Sequence, residues 1–124
     1  MEKGLTYTSK IAVTEAVTAV TMGSGDMEVL ATPAVVALME NAAMNAVRPQ
    51  LPEGSTTVGA MIQTSHVRPS ALGDEVQATA LLEEVDGRKL TFKVTASDSK
   101  GVIGEGTHIR FIVDRERFLS KLKK

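Results

Sequence analysis

The sequence predicts an α+β fold in which one antiparallel sheet wraps a single long helix, and three observations predict it. From Pro33 to Val47 the only polar side chains are Glu40, Asn41 and Asn45, and a helix apolar almost all round has to be enclosed. Two alternating runs, Glu75 to Val85 and Leu90 to Ala96, flank Asp86-Gly87, a strong hairpin signal. In a chain of 124 residues the wrapper of such a helix is a sheet, which gives a two-layer domain.

Each element follows from local chemistry. Ile11 to Val20, rich in Val, Thr and Ala, reads as an early strand. Gly23 and Gly25 mark a loop from Met22 to Asp26. Thr32-Pro33 reads as a helix start, with Thr as N-cap and Pro at the first helical position. The helix runs to about Val47 or Arg48 and stops at Pro49. Asn41, Asn45 and Arg48 form a narrow polar stripe along it. Thr57 to His66 is the next predicted strand, ended near Pro69. Val76, Ala78, Ala80 and Leu82 share one face of the following strand, and Leu90, Phe92, Val94 and Ala96 alternate with polar residues in the one after. Lys100-Gly101 makes another turn. Val102 to Val113 is the last strand, where Gly104 and Gly106 allow close backbone approach or a bulge. The charged segment Asp114 to Lys124 reads as a short terminal helix.

The composition narrows the function classes. Hydrophobic residues make up 43% of the chain and charged residues 23%, with a formal net charge of -1, as in an ordinary soluble protein of one domain spanning residues 1–124. No basic stripe marks a nucleic-acid binder, and no apolar run reaches the length of a membrane span. There are no cysteines, which removes disulfides, thiolate nucleophiles and cysteine-based zinc sites. The first segment, Met1 to Lys10, is polar and lacks the apolar core of a signal peptide. These features give a cytoplasmic expectation, and the two histidines form no recognisable metal motif.

Three residues stand out as carriers of chemistry. Glu40 has Val36, Ala37, Ala43 and Met44 as its helical neighbours. A carboxylate there is either enclosed, which raises its pKa toward general acid–base use, or it borders the asparagine stripe and reaches solvent. His66 lies at a predicted strand end, either as a proton carrier or as a hydrogen-bonded structural residue. Thr32 is read first as a cap, and its hydroxyl could also bind a substrate oxygen at the helix N-terminus. His108, beside Arg110, reads as structural or as an interface residue on the strand face opposite Ile109, Phe111 and Val113.

Together these residues resemble the fluoroacetyl-CoA thioesterase family of hotdog proteins, from about residue 11 to Phe118. The segment Ala31-Thr32 through Leu38-Met39-Glu40 is similar to the family's helix, whose catalytic Thr precedes its catalytic Glu by eight residues. Val58-Gly59-Ala60 through Thr64-Ser65-His66 is similar to the strand bearing the catalytic His, with the same 26-residue interval from the Glu. Gly73-Asp74-Glu75-Val76 and Gly104-Glu105-Gly106-Thr107-His108 also match. The resemblance implies a hotdog fold and an acyl-CoA thioesterase that releases a small free acid and CoA without a cofactor. It implies Thr32, Glu40 and His66 as catalytic residues, Gly59 beside the substrate, and a homodimer or dimer of dimers with the thioester at the subunit interface. Glu40 would attack as a nucleophile, or the carboxylate and His66 would deprotonate a water together. Arg68, Arg48 and Lys100 are candidates for the CoA phosphates, with Arg68 foremost. Two other readings stay open: a non-catalytic acyl-CoA-binding hotdog module, and a 3-hydroxyacyl thioester dehydratase, whose usual His-Asp or His-Glu arrangement is not seen. The family's fluoroacetyl-specific member carries phenylalanines in a lid before the helix. Thr21 to Leu30 has none, so fluoroacetate selectivity is not carried over.

Overall fold

In the computed structural model, which describes residues 1–123, the chain forms five strands and three α-helices. In chain order these are β1 (Thr6–Ala12), α1 (Ala19–Met22), α2 (Thr32–Val47), β2 (Ser55–Thr64), β3 (Glu75–Asp86), β4 (Lys89–Asp98), β5 (Gly101–Asp114) and α3 (Arg115–Ser120). The strands make one antiparallel sheet in the order β1-β3-β4-β5-β2, curled around α2.

The two alternating runs place their apolar residues as their sequence predicts. Val76, Ala78, Ala80 and Leu82 of β3, and Leu90, Phe92, Val94 and Ala96 of β4, are all buried. Against them α2 buries Ala34, Val35, Leu38, Met39, Ala42, Ala43, Ala46 and Val47. The alanines let the helix sit close to β3 and β1. Gly87, in the left-handed region at φ 60°, closes the β3–β4 hairpin, where Asp86 pairs with Lys89.

Three expectations are corrected. The early strand is Thr6–Ala12 and not Ile11 to Val20. It is polar because it is an edge strand: Thr6 Oγ1 donates to the Ala80 carbonyl at 2.8 Å, and the Thr8 and Thr79 hydroxyls bond at 2.7 Å. The β-prone residues that follow turn instead through a 3₁₀ segment, Glu15–Val17, and into α1, whose N-terminus Thr18 caps by accepting from the Thr21 N–H. Second, α2 is not capped by Thr32. Its N-cap is Ala31, which has no side chain to do so, and Thr32 is the first helical residue. Third, α2 is not enclosed all round. Thr32, Pro33, Ala37 and Asn41 are exposed, and Val36, Glu40, Met44 and Asn45 are half-buried. The described residues thus leave uncovered a stripe of this helix that is apolar and polar in equal parts.

β2 ends at Thr64, two residues short of His66. Beyond it the backbone stays tied to β5, through Ser65 N–H to the Glu105 carbonyl and Val67 N–H to the Ile103 carbonyl. The approach is close because Gly104 and Gly106 lack side chains; a Cβ on either would collide with the carbonyl oxygen of Ser65 or Gln63. The terminal helix is short, Arg115–Ser120, capped by Asp114 accepting from the Arg117 N–H at 2.9 Å. The Lys124 end of the predicted helix lies outside the described residues.

Gly106→Ala is expected to lower the unfolding free energy by about 2 kcal/mol, the scale of forced overpacking, as read by urea denaturation. An unchanged midpoint would contradict this account of the β2–β5 contact.

Candidate active site

The proposed site residues fall into two groups, one beside each of two positions on α2, Thr32 and Glu40. At the N-terminus of α2, the Thr32 hydroxyl and His66 Nδ1 are hydrogen-bonded at 2.7 Å. Freed from capping, the hydroxyl orients the imidazole. His66 Nε2 is buried and has no hydrogen-bond partner among the described residues. Burial lowers the His66 pKa below the ordinary imidazole value, so the ring is neutral at neutral pH. A cleft of about 250 Å³, lined in part by Ala19, Ser24, Leu30 and Val67, opens beside the pair.

The segment carrying His66 is pinned from behind. Arg68 Nη2 donates to Asp98 Oδ1 at 2.9 Å and to the Gly101 carbonyl at 3.1 Å, and the Ser70 hydroxyl donates to Asp98 Oδ2 at 2.7 Å. The Asp98 side chain is 1% exposed. Burial pushes its carboxyl pKa up, but hydrogen bonds from Ser70, the Lys100 N–H and Arg68, together with the Arg68 charge, outweigh this and bring it to about 2.

The second group lies farther along the helix. Glu40 Oε2 stands 3.8 Å from Arg110 Nη1, and the Glu40 side chain is 41% exposed. The chain alone therefore does not enclose this carboxyl. Gly59 faces it from β2: a Cβ there would lie 2.9 Å from Glu40 Oε2, 3.4 Å from His108 Cε1 and 3.5 Å from Arg110 Nη1. The missing side chain lets the Glu40 carboxylate lie against β2 beside the guanidinium. Arg110, 6% exposed, donates from Nε to Thr57 Oγ1 at 2.8 Å and from Nη2 to the Thr57 carbonyl at 2.9 Å. Burial lowers its pKa and Glu40 raises it; a guanidinium stays charged regardless.

Eight residues separate Thr32 from Glu40 on α2. At about 1.5 Å per residue this is a separation of roughly 12 Å along the axis, so one chain brings Thr32 to His66 but neither to Glu40. Arg110, His108 and Thr57 are additions that the sequence reading missed. A signal was present: His108 and Arg110, two apart on β5, share one strand face, and Arg110 pairs with Gly59. Among the described residues no group of three or more His, Cys, Asp or Glu side chains is arranged to hold a metal, and no helix is long and apolar enough to cross a membrane.

A curled antiparallel sheet around one long helix defines a class. A hot-dog-like protein from Thermanaerovibrio acidaminovorans superposes with a TM-score of 0.88 at 25% identity, over 98% of this chain and 90% of that one. The fold is the hotdog fold. Within it, the fluoroacetyl-CoA thioesterase of Streptantibioticus cattleyicolor is 38% identical over 97 residues, 78% of this chain and 70% of that protein. The solved fluoroacetyl-CoA thioesterase FlK superposes with a TM-score of 0.91 at 33% identity, over 98% of this chain and 95% of that one. Residues 13–116 match the fluoroacetyl-CoA-specific thioesterase family, and the chain belongs to that family.

Because the Asp98 pKa falls from 3.8 to about 2 on folding, its ionisation stabilises the fold fully above pH 4 or so and is lost as pH falls through about 2. Asp98→Asn is expected to cost about 2 kcal/mol at pH 7, the range for hydrogen bonds to a charged group, and to flatten the loss of stability between about pH 4 and pH 2. Urea titrations across pH check both; a variant as stable as the parent contradicts the clamp.

Proposed function

We propose that the protein hydrolyses a small acyl-CoA to the free acid and CoA at a site shared between two copies of the chain. The observation that carries this reading is the division on α2: an imidazole with a buried, unpartnered Nε2 at one point, and a carboxylate beside a buried guanidinium about two turns away. Neither group alone holds both the imidazole and the carboxylate. Family membership supports the thioester chemistry, and structures of FlK with fluoroacetate, with fluoroacetate and CoA, and with acetyl-CoA support a small acyl group.

Symmetry supplies the missing proximity. β2 is an edge strand, and an unpaired edge invites a partner. Two copies of β2 running antiparallel about a two-fold axis set the Gly59 end of one against the His66 end of the other. The same contact covers the stripe of Pro33, Val36, Ala37 and Met44 around Glu40. In this homodimer, Glu40 of one subunit and the partner's Thr32 and His66 flank one thioester, which gives two sites per dimer.

Two routes suit the arrangement. In one, the Glu40 carboxylate attacks the thioester carbon and expels the CoA thiolate; a water deprotonated by His66 then opens the mixed anhydride. In the other, the two groups deprotonate a water that attacks directly. In both, Arg110 places positive charge near the developing oxyanion, Gly59 lines the site beside the substrate without crowding Glu40, and Thr32 holds the imidazole. Arg68 remains the proposed CoA-phosphate contact through Nε and Nη1, since among the described residues its bonds to Asp98 and Gly101 use Nη2. A cytoplasmic setting belongs to the same proposal, and a cysteine-free chain suits reducing conditions.

Glu40→Gln and His66→Ala are each expected to slow thiol release from acetyl-CoA or a similar short acyl-CoA by about tenfold or more. Unfolding and refolding the two variants together at equal concentration is expected to restore about one quarter of the wild-type rate, because half of the dimers then carry one intact site. Restoration to no more than the mean of the two variants contradicts the shared site. The acid limb of kcat/KM is expected to have its midpoint below the ordinary histidine value of about 6.5, in line with the lowered His66 pKa; a midpoint above that value contradicts His66 as the base.

A further inference from the structure

The reading of Glu40 leaves one buried titratable side chain without a role. His108 is 1% exposed and sits two residues from Arg110 on the inner face of β5. Its Nδ1 is 2.8 Å from the Met61 carbonyl, and its Nε2 is 3.2 Å from Arg110 Nη1. A carbonyl oxygen only accepts, so Nδ1 carries the proton and Nε2 offers its lone pair. Arg110 Nη1 therefore donates to His108 while its other N–H is directed to the space shared with Glu40 and Gly59.

We infer that His108 is a positioning residue: a neutral imidazole, anchored on the Met61 carbonyl, that aims Arg110 Nη1 across Gly59 at the Glu40 carboxylate and the thioester oxygen beside it. The inference rests on the reading of Glu40 given above and adds a residue to it. Arg110 is held at three points. Thr57 takes Nε and Nη2, which fixes the plane of the guanidinium, and His108 takes Nη1, the nitrogen nearest Glu40. Without an acceptor at His108, an Nη1 donor would be left unmatched, and the partly exposed Glu40 carboxylate would be drawn onto it. A direct ion pair would close the gap that now stands at 3.8 Å and occupy the oxygen that acts on the thioester. The strut thus keeps a cation near the carboxylate without letting it neutralise the carboxylate by contact.

The anchor is itself part of the site wall. Met61 follows the bulge at which β2 shifts register against β5, between Gly59 and Met61. The extra residue, Ala60, lets the Met61 carbonyl meet His108 while Gly59 faces Arg110. Packing alone does not account for an imidazole here. Phe92 lies against the ring at a centroid distance of 6.2 Å, and an apolar side chain would fill that contact equally well without polar partners at both ring nitrogens.

The test compares His108→Gln with His108→Leu, alongside Glu40→Gln, in thiol-release kinetics on the assembled protein. Gln offers an amide oxygen where Nε2 lies; Leu offers bulk without an acceptor. The expected result is a kcat within about threefold of wild type for His108→Gln and lowered about tenfold or more for His108→Leu, with KM moved less than about threefold in both. Equal kcat in the two variants, with Glu40→Gln impaired, overturns the strut alone. Glu40→Gln at the wild-type rate overturns the reading of the site and the strut with it. Imidazole nitrogen NMR of the wild-type protein checks the geometry without any variant: His108 is expected to be neutral with its proton on Nδ1, and a proton on Nε2 overturns the inference.

Discussion

The pitch of one helix governs the chemistry available to this protein. Thr32 and Glu40 lie on the same open side of α2, eight residues apart, and a helix cannot bring them closer than its rise allows. Thr32 fixes His66 at one end; β2 and β5 fix Arg110 against Glu40 farther along. β5 carries Arg110 and is paired along its length with β2 and β4. The core of small and branched residues is closely packed beneath α2, so breathing within one chain does not close a gap of this size. The proposed shared site follows from that packing.

The neighbourhood of Glu40 is organised around a buried cation. Placing a guanidinium in the interior is unfavourable unless its donors are satisfied, and here Thr57 and His108 satisfy three of its nitrogens. Charge is thereby stored where a substrate oxygen can use it, since reorganisation is small when the donors are already in place. The Thr32–His66 end is built differently. One ring nitrogen is enclosed and has no partner among the described residues, and the segment that bears it is secured both by backbone bonds to β5 and by the Asp98 clamp. A desolvated neutral imidazole is suited to accepting a proton, as an anchored guanidinium is suited to stabilising negative charge.

Much of this was legible in the residues, because the decisive signals were local. Alternation in β3 and β4, Asp86-Gly87 and Thr32-Pro33 each state a local preference that the packing respects, and the glycines of β5 mark a close approach that a Cβ would forbid. The misread parts depend on distant partners. β1 is polar because its backbone is completed by β3, while the more β-prone residues after it are turned by Thr18. Thr32 has the chemistry of a cap, yet a non-local bond to His66 decides its use. His108, beside Arg110, reads in sequence as structural or as an interface residue, and only the register and the bulge at Ala60 set the pair against Gly59 and Met61. The 26-residue interval from Glu40 to His66 carries no information about their distance in space.

The most direct measurement is a crystal structure of the assembled protein with a non-hydrolysable acyl-CoA analogue. The account predicts the acyl carbonyl carbon between Glu40 of one subunit and the partner's His66, with Arg110 beside the carbonyl oxygen. An analogue bound with Glu40 remote from every His66 in the assembly, or turned out into bulk water, would contradict it.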